Sequence, residues 1–188
     1  MNIVIFGPPG AGKGTQSKFI EEKFGMFQLS TGEFLRKEMT TNTSIGKKIS
    51  SVINSGALVS DQIVSDLIEK ILANKKYKNR IIFDGYPRNL NQAKNLDILL
   101  KKYQQKIDIV LKLSVSLKTI KKRISERRTL EKRDDDFEEI AIKRYETYEK
   151  STEPVIEYYK KLKLLKVIDG EKSIDQISKE ISDIISLI

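Results

Sequence analysis

The stretch GPPGAGKGTQ, residues 7–16, follows directly on the apolar run NIVIF at residues 2–6. A phosphate-binding loop has the pattern G-x-x-x-x-G-K followed at once by Ser or Thr. Gly7 to Lys13 fits, but Gly14 comes next and the hydroxyl arrives one place late, at Thr15. The loop follows an expected strand and opens an expected helix, Lys13 to about Lys23. In that setting the backbone N–H groups of Gly10, Ala11, Gly12, Lys13, Gly14 and Thr15 can converge on one anion at the positive end of the helix. Glycine supplies the φ values and close approach this needs, and Lys13 can reach terminal phosphates. A plain strand-to-helix turn needs fewer glycines and no Lys.

Working outward, the apolar runs Ile3–Phe6, Ile81–Phe83, Ile107–Leu113 and Leu164–Ile168 read as strands, with a weaker one at Phe27–Leu29. They are continuous rather than alternating, as in parallel strands covered on both faces. Helices are expected between them. Ser30 with Glu33, Asn89 with Gln92 and Ser173 with Gln176 have capping-box spacing, and Thr43, Ser60, Ser116 and Thr152 are further candidate helix starts. The order predicts an α/β fold, an open parallel sheet with right-handed crossovers. Roughly three short helices over residues 31–73 replace a single crossover helix, as an inserted helical flap. The charged run ERRTLEKRDDDFEE, 126–139, separates two helices.

The 188 residues amount to one domain. There is no Cys and no His, which excludes disulfides, thiolate metal sites and imidazole acid–base catalysis. No basic stretch with an apolar core marks a leader at the N-terminus, and no apolar run nears the ~18 residues of a membrane span. A cytoplasmic protein is expected. The net charge of +9 points to polyanionic partners: nucleic acid, membrane surface or phosphorylated small molecules. Most of it comes from Lys in surface-like runs. The eight Arg are sparser, and their planar fork suits phosphate oxygens better than an ammonium does.

A second motif is IIFDGYPRNLNQ, 81–92. Its strand ends in Asp84, which resembles the carboxylate behind Mg²⁺-bound water in phosphate-loop enzymes; the alternative is that Asp84 and Gly85 make a strand-ending turn. Arg88 and Gln92 are one helical turn apart and can engage one ligand; equally, Gln92 can do no more than complete a capping box with Asn89. A third cluster holds Arg123 and Arg127, four apart, then Arg133 and Arg144 on either side of Asp134–Asp136. Repeated like charges suggest an anion between them, against the plainer reading of ion pairs on a solvated face.

With these motifs in order, the chain resembles the adenylate kinases over nearly its whole length. The segments that carry the resemblance are GPPGAGKGTQ (7–16), LSTGEFLR (29–36), GALVSDQIV (56–64), FDGYPRNLNQA (83–93), KRISERR (122–128), RDDDFEEIAIKRYETY (133–148) and VIDGEKSID (167–175). The resemblance implies a three-layer α/β/α phosphate-loop kinase with a five-stranded parallel sheet, a monophosphate-binding flap at 30–59 and a short lid at 127–133. It implies that Gly10 to Thr15 wrap ATP phosphates, and that Arg123, Arg127 and the Lys172 backbone serve the ATP side. Thr31, Arg36, Ala57, Leu58, Val59, Gly85, Tyr86, Pro87, Arg88 and Gln92 would bind AMP, with Gln92 recognising adenine. Arg133 and Arg144 would span the transferred group. Mg²⁺ would sit on phosphates and water, with Asp84 behind it.

Longer members carry a β-rich lid, sometimes with four Cys holding zinc, between the positions of Arg127 and Arg133; here five residues do, so no zinc is expected. Phe137 stands where a small polar residue is usual. The implied reaction is ATP + AMP ⇌ 2 ADP in a monomer without nucleic-acid or membrane partners. The acceptor phosphate is already ionised, so no general base is needed, in keeping with a chain lacking His. The nearest rival is a UMP/CMP kinase, whose members tend to carry Ala where Thr31 stands. A basic nucleic-acid-binding module would need a recognition helix or stacking aromatics, and a GTP switch would need Asn-Lys-x-Asp, which Asn74-Lys75-Lys76-Tyr77 does not complete.

Overall fold

The strand β1, Ile3–Phe6, is buried along its whole length, and side chains on a strand alternate between faces. Ile3 and Ile5 therefore join one apolar core with Ile20, Ile82, Leu111 and Ile181. Val4 and Phe6 join the other with Phe83, Leu96, Val110 and Tyr159. Two cores on one strand require a covered sheet. The computed structural model describes residues 1–40, 44–55, 57–131 and 137–188, and shows five parallel strands in the order β2-β3-β1-β4-β5. These are β1, β2 Phe27–Ser30, β3 Ile81–Asp84, β4 Ile109–Ser114 and β5 Leu165–Asp169. β1 pairs with β3 and β4, matching Ile5 to Asp84 and Leu111.

Helices α1 Lys13–Phe24 and α8 Ile174–Ile185 pack together over the core that holds Ile20 and Ile181. The opposite core holds residues of α4 Asp61–Leu72, α5 Leu90–Lys102 and α7 Glu138–Lys161. Between β2 and β3 come α2 Thr31–Met39, α3 Ser44–Asn54 and α4, the expected three, followed by a short 3-10 turn. α6 Leu117–Glu131 follows β4. Among the described residues no helix is long and apolar enough to cross a membrane.

Some expectations shift. The fourth strand starts at Ile109 rather than Ile107, because Asp108 pairs instead with Asn2, accepting its N–H at 2.7 Å and donating its own to the Asn2 carbonyl at 3.0 Å. β5 is not covered on both faces: it is an edge strand with Lys166 and Val167 exposed. Thr152 starts no helix but lies within the 24 residues of α7. Ser173 and Gln176 form a complete capping box. Ser30 accepts from the Glu33 N–H. Ser60 precedes α4 without a side-chain cap bond. Thr43, Arg133 and Asp134–Asp136 lie outside the described residues.

Candidate active site

The carboxyl ends of β1 and β3 lie side by side, and each runs into a turn that demands glycine. In the loop after β1, Gly10 and Gly12 have φ of +81° and +94°. A Cβ on Gly10 would lie 2.9 Å from Ile124 Cγ1, so the loop packs against α6 as only glycine allows. Gly12 caps α1 in the left-handed conformation. The first turn of α1 holds no acidic residue, so nothing of its own offsets the positive helix end.

After β3, Gly85 has φ +80°, and a Cβ there would meet Thr31 Oγ1 at 2.9 Å and Arg88 Nη2 at 3.1 Å. Thr31, buried at the start of α2, donates its hydroxyl to the Gly85 carbonyl at 3.0 Å. Arg88 donates from Nε to the same carbonyl at 2.7 Å. One carbonyl thus fixes both side chains at the mouth of a cleft.

That cleft is open-mouthed, with walls drawn from the glycine loop, α2, the β3 turn and α7. Of the residues expected at the site, Lys13, Thr31, Arg36, Ala57, Leu58, Val59, Gly85, Pro87, Arg88, Gln92 and Arg144 line it. Tyr86 does not: its ring is buried in the core and its hydroxyl donates to the Gln92 carbonyl at 3.2 Å, backing the site. Thr15 borders a separate groove between α1 and α8. The Lys172 ammonium turns to Glu180, 2.9 Å away.

Half-buried Lys13 bends back to donate to the carbonyls of Gly7 at 2.8 Å and Pro8 at 3.0 Å. Its pKa is lowered from 10.5 to about 8, first by burial, with Arg88, Arg144 and Arg127 adding to the fall and Asp84 opposing it. Four charged side chains from three elements and a turn therefore bear on one ammonium. A concentration of positive charge such as this suits a polyphosphate, which would neutralise it.

Gln92, almost wholly buried, accepts from the Arg88 N–H at 2.7 Å and donates to Asp61 Oδ1 at 2.8 Å. Asn89 also donates to Asp61, at 2.9 Å, and caps α5 by accepting from the Gln92 N–H. The capping box expected with Asn89 is thus half formed, and the Gln92 amide itself orients the Arg88 backbone. On α6, Arg123 donates to the carbonyls of Ala11 at 3.4 Å and Gly170 at 2.9 Å. Its fork joins the glycine loop to the turn after β5.

Asp84 ends β3, buried, with Oδ2 accepting from Gln28 Nε2 at 3.0 Å. It is both the end of the strand and a carboxylate facing Lys13. Among the described residues no three Asp or Glu cluster as a metal cage. A hard cation bound mainly by phosphate and water, with one carboxylate behind it, fits this donor set.

Sequence reasoning missed Gln28, Asp61 and the Thr147, Tyr148 and Thr152 that line the cleft from α7. Tyr148 and Thr152 follow Arg144 at four-residue steps, a face that helical spacing could have found. Nothing in sequence spacing links Gln28 to Asp84; the register that sets Ser30 opposite Asp84 does.

A family model described as "Adenylate kinase" matches residues 5–164. A protein of Pelagibacter ubique named "Adenylate kinase" is 45% identical, the alignment covering all of both chains. One of a Caulobacter species with that name is 40% identical over 188 residues, again all of both chains. A third, from Archaeoglobus fulgidus, is 38% identical, with all of this chain and 99% of the relative aligned. The matched span takes in the glycine loop, the β3 turn, α6 and α7, and on these matches this chain belongs to the adenylate kinase family.

Proposed function

We propose that this protein catalyses reversible phosphoryl transfer from ATP to AMP, giving two ADP. The observation that supports it best is the gathering of Arg88, Arg127, Arg144 and Asp84 around the Lys13 ammonium, at the mouth of a cleft with a second anchor set behind it.

An oxygen of the AMP phosphate attacks the terminal phosphorus of ATP. The new P–O bond forms as the bond to the β–γ bridging oxygen breaks, and that oxygen leaves on ADP with the electron pair. No proton has to move, so the protein's work is alignment and charge neutralisation. Backbone N–H groups of residues 10–15 hold the donor phosphates. Lys13 leaves the Gly7 and Pro8 carbonyls for a phosphate oxygen, an exchange that retains its hydrogen bonds. Arg88 and Arg144 hold the acceptor phosphate, while Thr31, Ala57 to Val59 and Gln92 surround its nucleoside. Arg123, Arg127 and the Lys172 backbone serve the donor, and Arg133 the transferred group.

Mg²⁺, when bound with ATP, neutralises charge on the phosphates; Asp84 is the residue that would hold its water shell. The flap at 30–59 and the lid at 127–133 close over the ligands and exclude water. The protein acts as a cytoplasmic monomer on free nucleotides. A coupled assay with AMP, CMP, UMP and GMP as acceptors tests the reading. AMP is expected to be strongly preferred, and a preference for UMP or CMP would replace it with a pyrimidine monophosphate kinase.

A further inference from the structure

We propose that Glu171 is a positioning residue for the donor nucleotide, fixing the start of α6 to the turn after β5 so that Arg123 is held at the glycine loop. The proposal rests on Arg123 serving the ATP side, as set out above.

The contacts are direct. Oε1 of Glu171 accepts the Ser116 N–H at 2.6 Å, and Oε2 accepts the Thr119 hydroxyl at 2.7 Å. Both donors belong to the N-terminal end of α6, where Ser116 Oγ accepts from the Thr119 N–H at 3.3 Å. The first turn of α6 has no acidic residue and carries Lys118, so a carboxylate from elsewhere supplies the negative charge that a helix N-terminus favours. These donors hold the Glu171 carboxyl down at about 2, with Arg123 adding a smaller pull. Glu171 is itself braced, its N–H donating to Asp169 Oδ1 at 3.0 Å.

The neighbouring residue carries the other end of the brace. Gly170 donates its N–H to the Ser114 carbonyl at 2.8 Å, and a Cβ there would lie 2.5 Å from Val115 Cγ2. The two turns meet at backbone distance. The Gly170 carbonyl then accepts from Arg123 Nη2, while Nη1 of the same fork reaches Ala11 of the glycine loop. Two helical turns of α6 separate Ser116 from Arg123, so the helix is tied to the β5 turn at both points. Freed at its first tie, α6 can pivot about the second, and the guanidinium shifts against the donor phosphates. Misplacement of about 1 Å can cost about a hundredfold in rate.

The test uses the full chain with Glu171→Ala, Glu171→Gln, Thr119→Val and the Glu171→Ala/Thr119→Val pair. The readouts are KM for ATP and for AMP, kcat, and ATP affinity by calorimetry without acceptor. Glu171→Ala is expected to raise KM for ATP and weaken direct ATP binding about tenfold, leaving KM for AMP unchanged. Glu171→Gln keeps an acceptor for Ser116 and recovers most of the affinity. Thr119→Val moves in the same direction by less, and the pair behaves as Glu171→Ala alone because one contact network is lost once. Equal changes in both KM values, additive effects in the pair, or unchanged ATP affinity would overturn the proposal. Should Glu171→Ala fail to fold, Glu171→Gln and Thr119→Val still decide it. ATP calorimetry needs no acceptor, so a wild-type chain that preferred another monophosphate would defeat the AMP reading alone.

Discussion

Arg88 and Gln92 are locked together through the backbone: the Arg88 N–H donates to the Gln92 side-chain carbonyl at 2.7 Å while Asp61 holds the other end of that amide. The side chain of Arg88 is set independently, by the Gly85 carbonyl. Substitutions at the two positions should therefore fail differently. Arg88→Ala removes a cation from the cleft and is expected to lower kcat/KM by about a hundredfold to a thousandfold with an unchanged melting temperature. Gln92→Leu leaves the Arg88 N–H without its partner and Asp61 with Asn89 alone, and is expected to cost about 1–3 kcal/mol of stability as well as AMP affinity. Thermal melts with steady-state kinetics separate them; near-normal turnover in Arg88→Ala would sink the assignment of the site.

Gly85→Ala tests the turn. The added methyl meets Thr31 Oγ1 at 2.9 Å in a backbone with φ +80°, which costs about 1–3 kcal/mol. Because Thr31 and Arg88 both bond the Gly85 carbonyl, the expected signature is a raised KM for AMP with KM for ATP little changed. A variant as stable and as active as wild type would show that the turn relaxes freely.

The pH dependence follows from Lys13. Its pKa is about 8 in the folded chain and 10.5 ordinarily, so between those values the unfolded chain carries the extra proton. Stability is therefore expected to rise with pH across that window, by this group's contribution. Nucleotide binding runs the other way. A phosphate favours the charged ammonium, so KM for ATP is expected to be flat below pH 8 and to climb above it, by up to about tenfold per pH unit. Lys13→Met should remove the bend, and a wild-type profile flat through pH 8 would contradict the assignment.

Gln28 orients Asp84 through Oδ2. Gln28→Leu leaves that oxygen unpaired in a buried place and frees the carboxylate to rotate. The Mg²⁺ concentration for half-maximal activity is expected to rise about tenfold, as when a partner behind a metal ligand is lost. A titration against total Mg²⁺ at fixed ATP reads this, and an unchanged curve would leave Asp84 no part in holding the ion's water.

The strands were legible because a parallel sheet covered on both faces writes continuous apolar runs, and Ile3–Phe6 and Ile81–Phe83 are such runs. β5 misled at its edge: its apolar residues resemble those of a buried strand, although Val167 is 59% exposed. The glycine loop and the Arg88 turn were legible because their backbones demand residues that little else demands. Gln28, Asp61 and Glu171 were not. Each acts on a residue distant in sequence, through a contact that exists only once strands are in register or turns have met. Thr152 looked like a helix start, yet within α7 its hydroxyl donates to the Arg88 carbonyl at 3.0 Å. Arg128 stacks over Phe137, its guanidinium carbon 3.8 Å from the ring centroid. No spacing rule joins them.

The strand order has a consequence for how this enzyme can change. The segments after β2 and β3 carry the residues assigned to the acceptor's nucleoside, with Arg88; those after β4 and β5 carry Arg123, Arg127 and Lys172, assigned to ATP, with Arg144 on the acceptor phosphate; and β1 stands between the two pairs. Choice of acceptor and grip on the donor are thus written on opposite wings of one sheet. Selection on one wing can alter which monophosphate is accepted without loosening the other's hold on ATP, provided the glycine loop between them stays as it is.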